Sequence, residues 1–390
     1  MIILIAGFML EYFSNSSSLA MPSFPLNLII VVLFTGYLIF TYFIFKNTAV
    51  ITVLTGIPMT IAAISAYTFL SLIMGFIAQE PHPIETINKL GLTHIKASYP
   101  FMLSSILLLM ILGYTIIKRM TQKMTIRNLA FFLNHAGLFI IILAGSAGTG
   151  DMLRISVPVE EGDISSIGVD EHNQKYKLPF QMKLNDFQIE EYPPEMILYN
   201  RKSGEAISPE DGKLPRIHAN KTGKLRHLEF HVEQYYEKAV FKDSLFIESD
   251  TFGSVHAAKV KVFHNNDTVE GWISTDNFMH KASFLYFDNN YVVGALQPKV
   301  QKYRSDITIY ENGTPTVKNV RIEVNKPYRY AGWAIYQHSY DARLGRWSPS
   351  SIFQVSKDPW LPVVYTGIFM MLLGALYLIY SGRQVPPRQL

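Results

Sequence analysis

Apolar residues gather in long blocks over the first 150 positions and then give way to short alternating runs. Residues 26–45, 51–77, 101–117 and 129–148 are each long and apolar enough to cross a hydrocarbon layer of about 30 Å. A further block, residues 360–380, lies near the C-terminus. The opening stretch Met1–Phe13 is apolar but too short to span, and it has neither a basic leader nor a small-residue cleavage site. Within the N-terminal segment 1–25 it therefore either lies along the membrane interface or remains from an upstream span.

Between the fourth and fifth blocks, residues 150–359 alternate with period two. Examples are Phe180-Gln181-Met182-Lys183-Leu184, Leu228-Glu229-Phe230-His231-Val232, Ala258-Lys259-Val260-Lys261-Val262 and Asp306-Ile307-Thr308-Ile309-Tyr310. One apolar and one polar face per segment predicts antiparallel strands. Glu311-Asn312-Gly313, Ser203-Gly204 and Asp211-Gly212 punctuate them as turns. The expected architecture is a membrane protein of about five transmembrane helices. A large, mainly β domain, sandwich-like or open-barrel-like, precedes the last helix. The membrane bundle covers 26–149, the β domain 150–359, and the last helix with its tail 360–390.

Basic residues flank the spans unequally, which predicts orientation. Lys118, Arg119, Lys123 and Arg127 follow the third span, Lys46 follows the first, and Arg383 and Arg388 lie in the tail. Simple alternation puts all three groups on one side, the cytoplasmic one. Residues 1–25 carry no Lys or Arg, and in the 79–100 loop Glu80 and Glu85 balance Lys89 and Lys96. The β domain is expected on that opposite, extracytoplasmic side.

Composition narrows the chemistry. Mean hydropathy is positive and only 17% of residues are charged, which argues against a fully soluble protein. The net charge of +4 forms no stripe suited to a phosphate backbone, so nucleic acid is not an expected partner. There is no cysteine. That excludes disulfides, thiolate-bound zinc, iron–sulfur clusters, thiol redox chemistry and a Cys-x-x-Cys-His haem attachment site in this chain.

His135 lies within the fourth span, in Asn134-His135-Ala136-Gly137-Leu138. An ionisable group at membrane depth needs a partner, a cavity or a ligand, and imidazole is the usual axial ligand of haem iron. Packing against a neighbouring helix is the plainer alternative. His82 and His94, in the loop between the second and third spans, rank second, near where a ligand leaving the membrane would emerge. His227-Leu228-Glu229-Phe230-His231 puts two imidazoles and a carboxylate on one strand face, but such alternation is ordinary solvated surface and no metal site is expected. His338 reads as structural. Gly145-Ser146-Ala147-Gly148-Thr149-Gly150 suits close helix packing. Tyr328, Tyr330, Trp333, Tyr336, Tyr340 and Trp347 read as core and interfacial aromatics.

These residues resemble the ResB (CcsB) family. Asn134-His135-Ala136-Gly137-Leu138, Leu143-Ala144-Gly145 and Val157-Pro158-Val159-Glu160-Glu161-Gly162 are similar to that family's third membrane helix and exit strand. Leu178-Pro179-Phe180 and Leu184-Asn185-Asp186-Phe187 are similar to the start of its outer domain. Tyr303-Arg304-Ser305-Asp306-Ile307, Val324-Asn325-Lys326-Pro327, Gly332-Trp333-Ala334-Ile335-Tyr336-Gln337 and Val355-Ser356-Lys357-Asp358-Pro359-Trp360 complete the resemblance, which covers about residues 51–380. The span 26–45 is additional to the family's usual four, and residues 192–301 show little match.

The resemblance implies a subunit of the System II cytochrome c synthase, or haem lyase, in the bacterial inner membrane. With a CcsA/ResC-type partner it would export haem and join it to apocytochrome c Cys-x-x-Cys-His motifs. Its own role would be non-catalytic or co-catalytic, with reduced thiols supplied by a thioredoxin-like protein. By position, His135 would be an axial ligand of haem b shared with the partner. The competing readings are a membrane-anchored envelope scaffold and a b-haem subunit of a quinone-linked redox complex.

Overall fold

In lipid, an apolar run satisfies its backbone N–H and C=O groups by closing them into a helix. The computed structural model describes residues 2–14, 20–207, 212–226, 228–264, 267–288, 290–311 and 317–382. It forms two compact units, residues 1–153 with 357–390, and residues 154–356.

The first unit holds α1 (Ile2–Phe13), α2 (Leu26–Phe45), α3 (Ala49–Leu54), α4 (Ile57–Phe76), α5 (Glu85–Lys89), α6 (Tyr99–Met120), α7 (Ile126–Ala147) and α8 (Leu361–Gly382). Among the described residues, five helices, α2, α4, α6, α7 and α8, are long and apolar enough to cross a membrane. The predicted second span, 51–77, is corrected: it is two helices, α3 and α4, parted at Thr55-Gly56. Pro58 explains the restart, because its missing N–H is tolerated in a first turn and not inside a helix.

More than half of α6 is buried, whereas α2, α4 and α8 expose most of their residues. Leu108, Leu109, Ile111 and Leu112 of α6 pack with Ala63 of α4 and Ile142 of α7. Tyr114 packs with Leu38 and Tyr42 of α2, and its hydroxyl lies 3.0 Å from Thr41 Oγ1. The short apolar helix α1 rests on α6 where Gly7 meets Pro100; a Cβ on Gly7 would come 2.6 Å from Pro100 Cα.

Helices α7 and α8 run antiparallel, because Gly148 meets Trp360, Gly137 meets Gly367 and Met371, and Asn134 meets Gly374. Cβ atoms on Gly137 or Gly374 would fall within 2.5 Å of the facing backbone. Small residues therefore set this approach, as is common where lipid offers no hydrophobic drive between helices. At one end of the pair, Asp151 Oδ2 accepts from Trp360 Nε1–H (2.6 Å) and Asn27 Nδ2–H (2.7 Å). Its Oδ1 accepts from Phe24 N–H at 2.7 Å. This one carboxylate ties together the start of α2, the end of α7 and the start of α8.

The second unit is built of strands β1 (Leu153–Glu160), β2 (Ile164–Val169), β3 (Lys175–Glu191), β4 (Met196–Asn200), β5 (Ala206–Ile207), β6 (Thr222–Leu225), β7 (Leu228–Lys242), β8 (Leu245–Glu248) and β9 (Val255–His264). It continues with β10 (Asp267–Ser274), β11 (Leu285–Tyr286), β12 (Tyr291–Ala295), β13 (Val300–Glu311), β14 (Val317–Glu323), β15 (Tyr328–Tyr330), β16 (Trp333–Tyr340) and β17 (Ser350–Lys357). Eight strands, ordered β14-β13-β3-β2-β1-β17-β16-β15, form a strongly curled, nearly closed sheet. Phe180 of β3 reaches Tyr330 of β15, ring centroids 5.5 Å apart, across its interior. Ile155, Val157, Met182, Leu184, Ile335, Phe353 and Val355 fill the core. A five-stranded sheet (β10-β9-β7-β6, with β8 on β7) and a four-stranded one (β11-β12-β4-β5) share a second core around Leu198, Phe230, Val260, Ile273 and Val293.

The four alternating runs quoted above all lie in strands, within β3, β7, β9 and β13. Trp333 is buried and belongs to the barrel core. Asn312-Gly313, Asp211, His227, Arg383 and Arg388 lie outside the described residues.

Candidate functional site

Helix α7 starts cleanly because Thr125 Oγ1 accepts from Asn128 N–H (3.2 Å). Nine residues on, about 14 Å along the axis, Asn134 faces α8 and donates from Nδ2 to Met371 O at 3.1 Å. The next residue, His135, is turned about 100° away from it. His135 Nδ1 lies 3.0 Å from Phe131 O. A carbonyl only accepts, so Nδ1 carries the proton and Nε2 presents a lone pair. Among the described residues Nε2 has no hydrogen-bond partner. The Phe131 ring stacks on the half-buried imidazole, centroids 3.8 Å apart and planes 20° from parallel. A ring whose second nitrogen is held by a carbonyl is how proteins orient histidine for a metal centre. His135 therefore fits an iron ligand through Nε2.

His82 and His94 belong to the other end of α6. The 77–98 loop is organised by Asn88, which accepts from His82 N–H (2.9 Å) and Thr93 Oγ1–H (3.2 Å) and donates to His82 O (2.7 Å). His82 Nδ1 accepts from Ile84 N–H at 3.1 Å, which puts the ring proton on Nε2. His94 Nε2–H donates to Glu11 Oε1 at 3.0 Å, and its Nδ1 lies 3.4 Å from Thr93 Oγ1. Neither ring presents a free Nε2 lone pair. The ends of α6 are about 30 Å apart, so these two histidines do not gather with His135, which lies by the far end.

Sequence reasoning missed Glu11. It is fully buried, and besides His94 it accepts from Tyr99 N–H, the first residue of α6, at 2.7 Å. Helix N-termini favour such an anion. Gly91 (φ +71°) closes over it; a Cβ there would lie 2.8 Å from Glu11 Cγ. The available signal was that Glu11 is the lone charged residue among positions 1–25.

A second missed cluster lies inside the β unit. Arg346 Nη1 donates to Glu191 Oε2 (3.2 Å), which also lies 3.0 Å from His256 Nε2. Since that paired carboxylate accepts, His256 Nε2 carries the proton and Nδ1 accepts from Tyr235 O–H at 2.8 Å. Burial pushes the Tyr235 phenol well above its ordinary value, so it keeps its proton and donates. Arg346 Nη2 also donates to Glu237 O and Ser254 O. The cluster joins β3, β7, β9 and the 3₁₀ turn before β17. A cavity of about 220 Å³ opens beside it, lined by Ser254, Thr275, Asn277 and Trp347 among others.

Of the remaining expectations, His338 is exposed at a bulge between Gln337 and Ser339. Glu229 pairs with Lys224 at 3.0 Å. Among the described residues no three His, Asp or Glu side chains group as a metal site.

Residues 284–349 match the model of the ResB-like family. They include the Tyr303–Ile307, Val324–Pro327 and Gly332–Gln337 segments that carry the resemblance, together with Arg346. This is consistent with a ResB (CcsB) assignment. No curated protein matches the chain.

Proposed function

We propose that this ResB-like membrane protein serves cytochrome c biogenesis as one subunit of the System II synthase, alongside a CcsA/ResC-type partner. The observation that carries the reading is the state of His135 in the apolar helix α7: Nδ1–H held by Phe131 O, and Nε2 without a hydrogen-bond partner among the described residues. Haem is the cargo, and His135 Nε2 would hold its iron. One imidazole supplies one axial ligand, so the second comes from the partner. Shared ligation offsets the cost of an imidazole in the bilayer.

On this reading Lys46, Lys118, Arg119, Lys123 and Arg127 face the cytoplasm of a bacterial cell, in its inner membrane. The β unit faces the extracytoplasmic side, where it binds apocytochrome c or braces the partner's haem site. Without cysteine the chain contributes no thiol; reducing equivalents come from a thioredoxin-like protein. Its contribution is position. Bringing haem and reduced Cys-x-x-Cys-His thiols together removes the entropic cost of their encounter.

The test is a pyridine haemochrome spectrum of the chain co-purified with its partner, beside His135→Ala and His135→Gly. Bound b-type haem and cytochrome c production should fall sharply in both, and added imidazole should return haem to the glycine variant. Unchanged haem and normal cytochrome c in both variants would reduce His135 to a packing residue and remove the haem-handling role.

A further inference from the structure

Four basic residues close α6 and open α7, and one of them is placed unlike the rest. Lys118, Lys123 and Arg127 are exposed, as residues facing lipid headgroups and water should be. Arg119 is folded inward, its guanidinium 4.9 Å from the centre of the Phe131 ring. Its Nε is sealed from solvent and has no acceptor. Among the described residues the Arg119 side chain takes part in no ion pair and no hydrogen bond, and residues 118–129 contain no Asp or Glu. Cation–π contact recovers part of the lost hydration of a guanidinium, but a buried donor without an acceptor calls for a partner.

Phe131 links this cation to the candidate haem ligand. Its ring lies under Arg119 and against His135, and its carbonyl sets the His135 tautomer. A molecule coordinated by His135 Nε2 is thus bound one ring away from a cation that has no counter-charge among the described residues. Haem carries carboxylates, and a planar guanidinium matches a carboxylate with two parallel hydrogen bonds. We infer that Arg119 is the anion-binding half of the His135 site and takes a carboxylate of the haem cargo. The inference rests on the haem reading of His135. It adds that the site selects the acid form of its cargo and enters it from the basic end of α6 and α7.

The discriminating experiment titrates the chain and its partner, in nanodiscs, with haem and with haem dimethyl ester, which keeps the iron but lacks the acids. The Soret band reports binding. Arg119→Gln should weaken haem binding about tenfold or more, the scale of a hydrogen bond to a charged group, and leave ester binding at the wild-type level. Arg119→Lys should recover part of the loss. His135→Ala should weaken both ligands alike. If His135→Ala leaves both unchanged, the haem reading itself fails. If it weakens both while Arg119→Gln keeps the wild-type ratio of haem to ester, the role of Arg119 is overturned and His135 stands. A lipid phosphate as the true anion would show differently. The wild type would gain thermal stability in phosphatidylglycerol over phosphatidylcholine nanodiscs, Arg119→Gln would lose that gain, and the haem-to-ester ratio would not move, which also overturns the inference.

Discussion

Replacing Glu11 by alanine should release α1 from the bundle. The carboxylate is fully buried and accepts from His94 Nε2–H at 3.0 Å and Tyr99 N–H at 2.7 Å. Hydrogen bonds to a charged group contribute about 1.5–3 kcal/mol each, and alanine also leaves both donors buried without an acceptor. Removing one partner from such a buried arrangement costs about 3–5 kcal/mol. Because 1.4 kcal/mol is tenfold in an equilibrium, the undocked fraction of α1 should rise by about two to three and a half decades. Glutamine keeps one accepting oxygen and should cost about 1–2 kcal/mol, roughly tenfold. The cysteine-free chain makes this measurable. Ser104 is 2% exposed, its hydroxyl has no hydrogen-bond partner among the described residues, and it lies one turn below Pro100, on which Gly7 packs. Ser104→Cys is therefore a mild substitution whose thiol reacts with maleimide only when α1 lifts. In that background Glu11→Ala should speed labelling by about two to three and a half decades, and Glu11→Gln by about one. Equal labelling rates in all three would show that Glu11 does not hold α1 and that the energies assigned to its two bonds are wrong.

Three further outcomes follow from the same geometry. Asp151 is held below its ordinary carboxyl value of 3.8, chiefly by the Phe24 N–H and also by Asn27 and Trp360. A depressed folded value means that its stabilisation is present above the unfolded value and is lost as the pH falls through the folded one. Asp151→Asn should thus lower the detergent unfolding midpoint at neutral pH, by about 1 kcal/mol after allowing for solvent screening, with the gap closing under acid titration below that value. Gly137→Leu should cost about 1–3 kcal/mol or more by forcing α7 from α8, since its Cβ would lie 2.5 Å from Gly367 O. Gly145→Ala, with nothing within 4 Å, should be neutral or stabilising in the same thermal assay. Arg346→Ala leaves the partly buried Glu191 carboxylate held by His256 Nε2–H but without its cation, and should cost about 1.5–3 kcal/mol in a denaturant titration followed by tryptophan fluorescence. Arg346→Lys should restore only part, because a lysine cannot also reach the Glu237 and Ser254 carbonyls as a fork.

The candidate site was half legible. An imidazole in an apolar run stands out in any hydropathy reading, so His135 was found. That its Nδ1 is tied to Phe131 O follows from an i to i−4 spacing along one helix and could have been anticipated. Arg119 was read as one of several orienting charges, and only packing separated it from Lys118, Lys123 and Arg127. His94 was noticed as a possible ligand, but its partner Glu11 lies 83 residues away in a helix that looked merely interfacial.

What the sequence by itself determined is what depends on neighbours along the chain. The spans follow from apolar length and the β unit from period-two alternation; the break before α4, set locally by Gly56 and Pro58, is equally local although apolar length alone runs through it. Local backbone energetics decide these, and they are written in a few consecutive residues. The tertiary structure alone decided which polar groups share a partly buried environment. Asp151 with Trp360, 209 residues apart, and Glu191 with Arg346, 155 apart, are examples. Taken singly, an aspartate, an arginine or a glutamate carries no mark of burial. Only when distant segments exclude water together does an unpaired charge become costly, and that cost fixes their partners.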